Sequence, residues 1–168
     1  MPVPAMSVPA DPAADSKALD LREKSQFVEF VIDGRRCAFP ISQIREIGLP
    51  GKYTPTPHVA PCVDGVANLR GDIIPMINLR ILFGLPRKPH DPDTRVIVVH
   101  SEGKLMGCLV DTVNQVVAIP NANIKPAPDA IFGNGGHAII GFAEVEDRIL
   151  IVLDVDRLLA PEHLHAET

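Results

Sequence analysis

At 168 residues the chain is long enough for one domain with its own apolar core, and its length demands no disulfide or metal staples. Its 21 acidic and 16 basic residues give a net charge of −5, and with one Tyr, six Phe and no Trp it lacks both the positive field and the stacking platforms that nucleic acid requires. Three widely spaced cysteines, Cys37, Cys62 and Cys108, lie in apolar sequence, which argues against a disulfide framework or a zinc site and for core residues in a reducing compartment.

Residues 1–11 carry no basic region followed by an apolar run, so no secretory signal is expected. No segment approaches the roughly 20 apolar residues that span a bilayer, so neither is direct membrane insertion. A cytoplasmic protein is the expectation. Residues 1–24 are rich in Pro, Ala and Asp and form an expected disordered tail, within which 13–24 has the composition of a marginal helix. The folded domain is expected over residues 25–168.

That domain opens with two apolar runs, 27–32 and 36–41, around Asp33-Gly34, a dipeptide that tolerates positive φ; this predicts a β-hairpin. Two further apolar pairs flank Arg70-Gly71-Asp72 and Glu146-Asp147-Arg148, and residues 95–100 and 105–110 form a fourth hairpin in which β-branched residues dominate. Pro and Gly crowd 50–61, 86–92 and 120–136, which are read as connections. A helix is predicted only at the C-terminus, where Asp154 or Asp156 caps a turn containing Leu158 and Leu159 and Pro161-Glu162 restarts it. Many short strands with Gly and Pro turns predict a mostly β protein of the barrel or sandwich class.

The chain repeats itself. Residues 65–83 align without a gap on 141–159, matching Gly65, Ala67, Ile73 and Leu82 to Gly141, Ala143, Ile149 and Leu158; residues 38–47 align likewise on 107–116. Two related lobes follow, each a hairpin, a short connecting segment and a second hairpin, with a crevice where they meet.

Little in the chain suggests chemistry. The six histidines are scattered, the only close pair being His163 and His165 near the terminus, and no metal or cofactor is expected. Gly133-Asn134-Gly135-Gly136 lacks the Lys-Ser/Thr and preceding strand of a phosphate loop, and no serine or cysteine stands in a nucleophile motif. An enzyme is not expected; a small hydrolase, the remaining alternative, would need a concave pocket holding a perturbed His or Cys. Arg70 is the informative residue, because the matching turn in the other lobe begins with Glu146. Asn68, Gly71 and Asp72 suit turn geometry, and Arg70 is either merely solvated or a rigid, always-charged anchor at an interface. Ile44 and Ile47, with their counterparts Val113 and Val116, form i, i+3 apolar pairs that are either core or the lining of a groove for an amphipathic helix.

The stretch Gly65-Val66-Ala67-Asn68-Leu69-Arg70-Gly71-Asp72-Ile73-Ile74-Pro75-Met76-Ile77-Asn78-Leu79-Arg80 resembles the signature of the CheW chemotaxis coupling proteins, and the similarity extends over about residues 26–159. The resemblance implies two pseudo-symmetric five-stranded SH3-like β-barrels that share a core. It also implies a non-catalytic scaffold, recruited to membrane-associated arrays, that couples the helical-hairpin tips of chemoreceptors to the regulatory domain of the histidine kinase CheA. A CheW-like regulatory module of another system, CheV-like or serving motility, is the alternative. Carried over by position, the receptor groove would use Ile44, Glu46, Ile47, Arg70, Gly107, Val113 and Val116, and Gly65 would lie in the kinase-contact region. Two residues depart from the family pattern: Asn78 stands where aspartate is common, and Pro40 is expected to interrupt a strand and remove a ladder hydrogen bond.

Overall fold

The computed structural model describes residues 23–57, 59–126 and 136–161. The expected tail, apart from residues 23–24, lies outside them, as do His58, residues 133–135 of the glycine-rich turn, Glu162 of the helix restart, and His163 with His165.

All four predicted hairpins form: β1 (Lys24–Ile32) with β2 (Arg35–Pro40), β4 (Val63–Leu69) with β5 (Asp72–Asn78), β6 (Arg95–Ser101) with β7 (Lys104–Val110), and β9 (Ile139–Val145) with β10 (Arg148–Leu153). Each turns through two residues at positive φ: Asp33-Gly34, Arg70-Gly71, Glu102-Gly103 and Glu146-Asp147. This is the turn whose twist matches that of the flanking strands. Pro40 ends β2 opposite Phe27 and interrupts nothing, so the expected break in the ladder is corrected: a proline at the last position displaces no pairing beyond it.

The short connecting segments are themselves strands, β3 (Ile44–Gly48) and β8 (Thr112–Pro120). There is also a helical turn that sequence reading missed. Helix α1 (Leu79–Leu82) is capped by Asn78, whose side chain accepts from the Arg80 and Ile81 amides, just as Asp154 caps the predicted C-terminal α2 (Val155–Leu158). Asn78 and Asp154 occupy the same place in the internal repeat, so the alignment contained the signal.

The repeats are not the lobes. The sheets run β8-β1-β2-β10-β9 and β3-β6-β7-β5-β4, so each joins the first hairpin of one repeat to the second hairpin of the other. The joins are parallel: Val152 stands opposite Ala38 in sheet 1, and Met76 opposite Gly107 in sheet 2. Those residues are counterparts in the repeat, so the exchange has the same register on both sides.

Three apolar clusters follow from this arrangement. One lies within sheet 1 (Phe27, Ala38, Val117, Leu150, Val152) and one within sheet 2 (Ile74, Met76, Val96, Val98, Leu109). The largest lies between the sheets and draws on both, with Phe30, Phe39 and Leu153 from one side and Ile77, Ile97 and Cys108 from the other. Polar ties cross the same junction. Arg80 reaches Asp111 at 2.7 Å and Asp33 at 3.4 Å, while Asp156 accepts from Ser101 at 2.7 Å.

Gly65 and Gly141 are fixed by a close approach. Thr54 bridges Val66 and Lys125 bridges Phe142, so a neighbouring segment crosses directly over each glycine. A Cβ on Gly65 would lie 2.7 Å from the Thr54 carbonyl carbon, and one on Gly141 would lie 3.1 Å from that of Lys125. Gly65→Ala and Gly141→Ala are each expected to destabilise the protein by about 1–3 kcal/mol, as overpacking against backbone does. Denaturant unfolding measures this, and wild-type stability in either variant would show that the crossing segment yields.

Candidate functional site

The residues singled out in sequence converge on two strands, β3 and β8, each at one edge of its sheet. In a regular strand, i and i+3 face opposite sides. Here both strands carry a bulge. Between Ile44 and Glu46 the register against β6 shifts, leaving Arg45 as the extra residue; between Val113 and Gln115 the register against β1 shifts, leaving Asn114. Ile44 and Ile47 then stand opposite Val99 and Ile97, which share a face, and Val113 and Val116 stand opposite Phe30 and Val28. The helical spacing noticed in sequence is thus the spacing of a bulged strand.

Each pair has an inner and an outer member. Ile44 and Val113 are half-buried against the core between the sheets, whereas Ile47 and Val116 are 40% and 54% exposed. Core and groove lining were the alternatives for these residues, and the inner members do the first while the outer members are free for the second. The outer members thus leave apolar side chains exposed at equivalent places on two edge strands.

Arg70 lies at the first position of the β4–β5 turn, with φ of 52°. Glu102 and Glu146 take the same position in other turns, so the turn geometry does not call for arginine. Asn68 does serve the turn, its Oδ1 accepting from the Gly71 amide at 2.9 Å. The Arg70 guanidinium pairs with Glu46 on β3. Since β3 and β4 are the two edges of sheet 2, this ion pair joins its first strand to its last. The arginine is 72% exposed and the glutamate 28%, so the pair contributes at most about 1 kcal/mol and leaves Arg70 available to a partner.

Two of the expected site residues lie elsewhere. Gly107 is buried within the cluster of sheet 2, where a Cβ would come within 2.9 Å of Met76 Sδ. It is buried and makes room for Met76, so a part for it in the groove would be a supporting one. Gly65 is buried beneath Thr54, and what stands exposed there is the crossing segment.

Beside that segment the side chains are polar. Tyr53 Oη lies 3.1 Å from His90 Nε2 and 3.5 Å from Asp64, and Asn78 Nδ2 donates to Asp64 at 3.0 Å. Arg87 also pairs with Asp64. Burial, and then the Asp64 charge, push the Tyr53 hydroxyl up from its ordinary value. The departure at Asn78 is thereby explained, because an aspartate would set a second carboxylate against Asp64, whereas the amide caps α1 with its oxygen and donates with its nitrogen.

The residue that sequence reading missed is Glu29. It is 1% exposed, yet charged, and its carboxylate accepts from Arg36 at 2.8 and 2.7 Å, from Asn114 at 2.7 Å and from Gln115 at 3.3 Å. A lone Glu in an apolar strand, seven residues before an Arg across a tight turn, was the available signal. Burial by itself pushes the Glu29 carboxyl up, but hydrogen bonds from Arg36, Asn114 and Gln115 together outweigh it and hold the carboxyl below its ordinary value of 4.5.

Among the described residues, no cluster of His, Cys, Asp or Glu is placed to hold a metal, and no helix is long and apolar enough to cross a membrane. Cys37 and Cys108 are buried, and their thiols are pushed up to about 12 by that burial, so neither is a thiolate nucleophile at neutral pH.

Because the folded-state pKa of Glu29 is lowered, its contribution to stability is complete above the ordinary carboxylate value and disappears as pH falls through the folded value. Unfolding experiments from neutral pH down through the carboxylate range are expected to show a steeper loss for wild type than for Glu29→Gln. Parallel profiles would mean that Glu29 titrates alike in both states.

The family profile described as "CheW-like domain" matches residues 26–162. Chemotaxis protein CheW of Helicobacter pylori is 35% identical over 147 residues, covering 88% of each chain, and that of Bacillus subtilis is 28% identical over 143 residues, covering 85% of this chain and 92% of the relative. The crystal structure of the scaffolding protein TtCheW from Thermoanaerobacter tengcongensis superposes with a TM-score of 0.76 at 27% identity, over 82% of this chain and 93% of that one. By profile, relatives and fold together, this chain belongs to the CheW-like domain family.

Proposed function

We propose that this chain is a non-catalytic scaffold that couples chemoreceptors to the histidine kinase CheA. Membership in the family supports the general role, and the paired bulged edge strands support the way it is carried out. Ile44 with Ile47 and Val113 with Val116 offer two matched apolar strips, a form suited to the two apolar faces of a helical hairpin such as a receptor's cytoplasmic tip. Arg70 and Glu46 stand at the rim of the sheet 2 strip, where charge sets orientation and rejects wrong partners more than it adds affinity.

The kinase regulatory domain would dock on the segment at 52–56 that crosses Gly65, with Gly65 acting through the backbone above it. The two partners would thus use different surfaces of one frame. The protein would be cytoplasmic and held at the membrane only through the receptors.

A pull-down with a receptor cytoplasmic fragment and with a CheA regulatory domain tests the reading; retention of both is expected, and binding to neither ends it. Arg70→Ala is expected to lower stability by less than about 1 kcal/mol while weakening receptor-dependent kinase activation. Should that variant lose cooperative unfolding, Arg70 is a structural residue and its assignment to the rim fails.

A further inference from the structure

We infer that Glu29 is a positioning residue for the groove: from inside sheet 1 it holds the bulge at Asn114 and thereby keeps the half-buried Val113 and the exposed Val116 on one face of β8. The inference rests on the receptor-groove reading above and adds to it a residue that touches no partner.

The two bulges fall at equivalent places in the internal repeat, but they are held differently. In sheet 2 the extra residue is Arg45, and the interior residues facing that end of the sheet are Val98 and Leu105, neither of which can accept a side-chain hydrogen bond. There the carboxylate at the bulge is Glu46, tied from outside by Arg70. In sheet 1 the counterpart of Glu46 is Gln115 and that of Arg70 is Glu146, so an ion pair of that kind is chemically impossible. The holding group comes from within instead. Glu29, the counterpart of Val98, accepts from the consecutive bulge residues Asn114 and Gln115, and Arg36, the counterpart of Leu105, neutralises it.

Stability alone does not account for this arrangement. A buried ion pair is often matched or bettered by well-packed apolar residues of similar volume, and sheet 2 shows that Val and Leu fit these two positions in this fold. Arg36 Nη1 is moreover buried without a hydrogen-bond partner, a cost an apolar pair would avoid. What the carboxylate supplies and a valine cannot is a fixed acceptor for two successive side chains on one strand. A bulge interrupts the ladder, and an edge strand has only one neighbour to define its register. If the bulge moves out of the Asn114-Gln115 pair and onto Val113 or Val116, that valine loses its partner on β1 and leaves the shared face, and the apolar strip of β8 is broken.

The double variant Glu29→Val/Arg36→Leu gives sheet 1 the pair that sheet 2 already has. Its unfolding midpoint is expected to equal or exceed that of wild type, with affinity for the receptor fragment lowered on the order of tenfold, as for residues sharing one network, and affinity for the kinase regulatory domain unchanged. Unchanged receptor affinity overturns the proposal, and so does an equal loss for both partners, which would show a general structural effect. A second variant, Asn114→Ala/Gln115→Ala, leaves the buried pair in place and alters only exposed side chains; it should show the same selective loss, and wild-type binding there overturns the proposal even if the first variant fails to fold. Amide hydrogen exchange at residues 113–116 of the free variants should be faster than in wild type, and equal rates are equally fatal. If wild type itself binds neither partner, the coupling reading fails, while the exchange rates still decide whether Glu29 sets the strand.

Discussion

The parallel pairing of β2 with β10, and of β7 with β5, decides which strands share a sheet and so where every other element must go. It unites hairpins from different repeats, so that neither repeat alone contains a complete five-stranded sheet. The largest apolar cluster lies between the sheets because both first hairpins are committed there, and burial of residues such as Phe30, Phe39 and Ile97 binds the two sheets into one cooperative body. Strands β3 and β8 reach opposite sheets for the same reason, since each leaves its own first hairpin to become an edge of the other sheet. The matched apolar strips are thus a product of the exchange.

On that symmetric frame the polar fittings differ. Sheet 2 holds its bulged edge with an exposed ion pair, Glu46 to Arg70, which is weak in water and can exchange partners at little cost. Sheet 1 holds its own with a buried carboxylate, whose loss would leave Arg36 uncompensated inside the sheet. One edge is therefore adjustable and the other fixed. A receptor hairpin docked as proposed would find a rigid strip on one side and, on the other, a strip whose rim can reorganise around it.

The four hairpins were legible in sequence because a two-residue turn at positive φ between apolar runs is a local feature, and each of the four pairs contained one. Helix α1 was not, because four residues are too few to show a helical period; only its kinship with the segment after Asp154 could have disclosed it. The strands β3 and β8 were hidden by their bulges, which give apolar residues the spacing of a helix. Exchange of hairpins between repeats leaves no trace in residue order, since pairing between distant strands is decided by packing. The same holds for the burial of Gly107, whose place beneath Met76 depends on a parallel join that no local pattern announces.

Among the residues proposed for the groove, Ile47 and Val116 were singled out by their spacing and Arg70 by the broken symmetry of the turns, while core packing and plain solvation remained alternatives in sequence; their exposure is what the fold adds. Glu29 was not singled out, because whether a strand glutamate faces water or the interior depends on which face its neighbours bury. In the proposed role, receptor and kinase use separate surfaces of one rigid frame. Sedimentation velocity of the chain mixed with a receptor cytoplasmic fragment and a CheA regulatory domain separates this from competition for one surface. A single species containing all three is predicted; displacement of either partner by the other would mean that the two surfaces overlap.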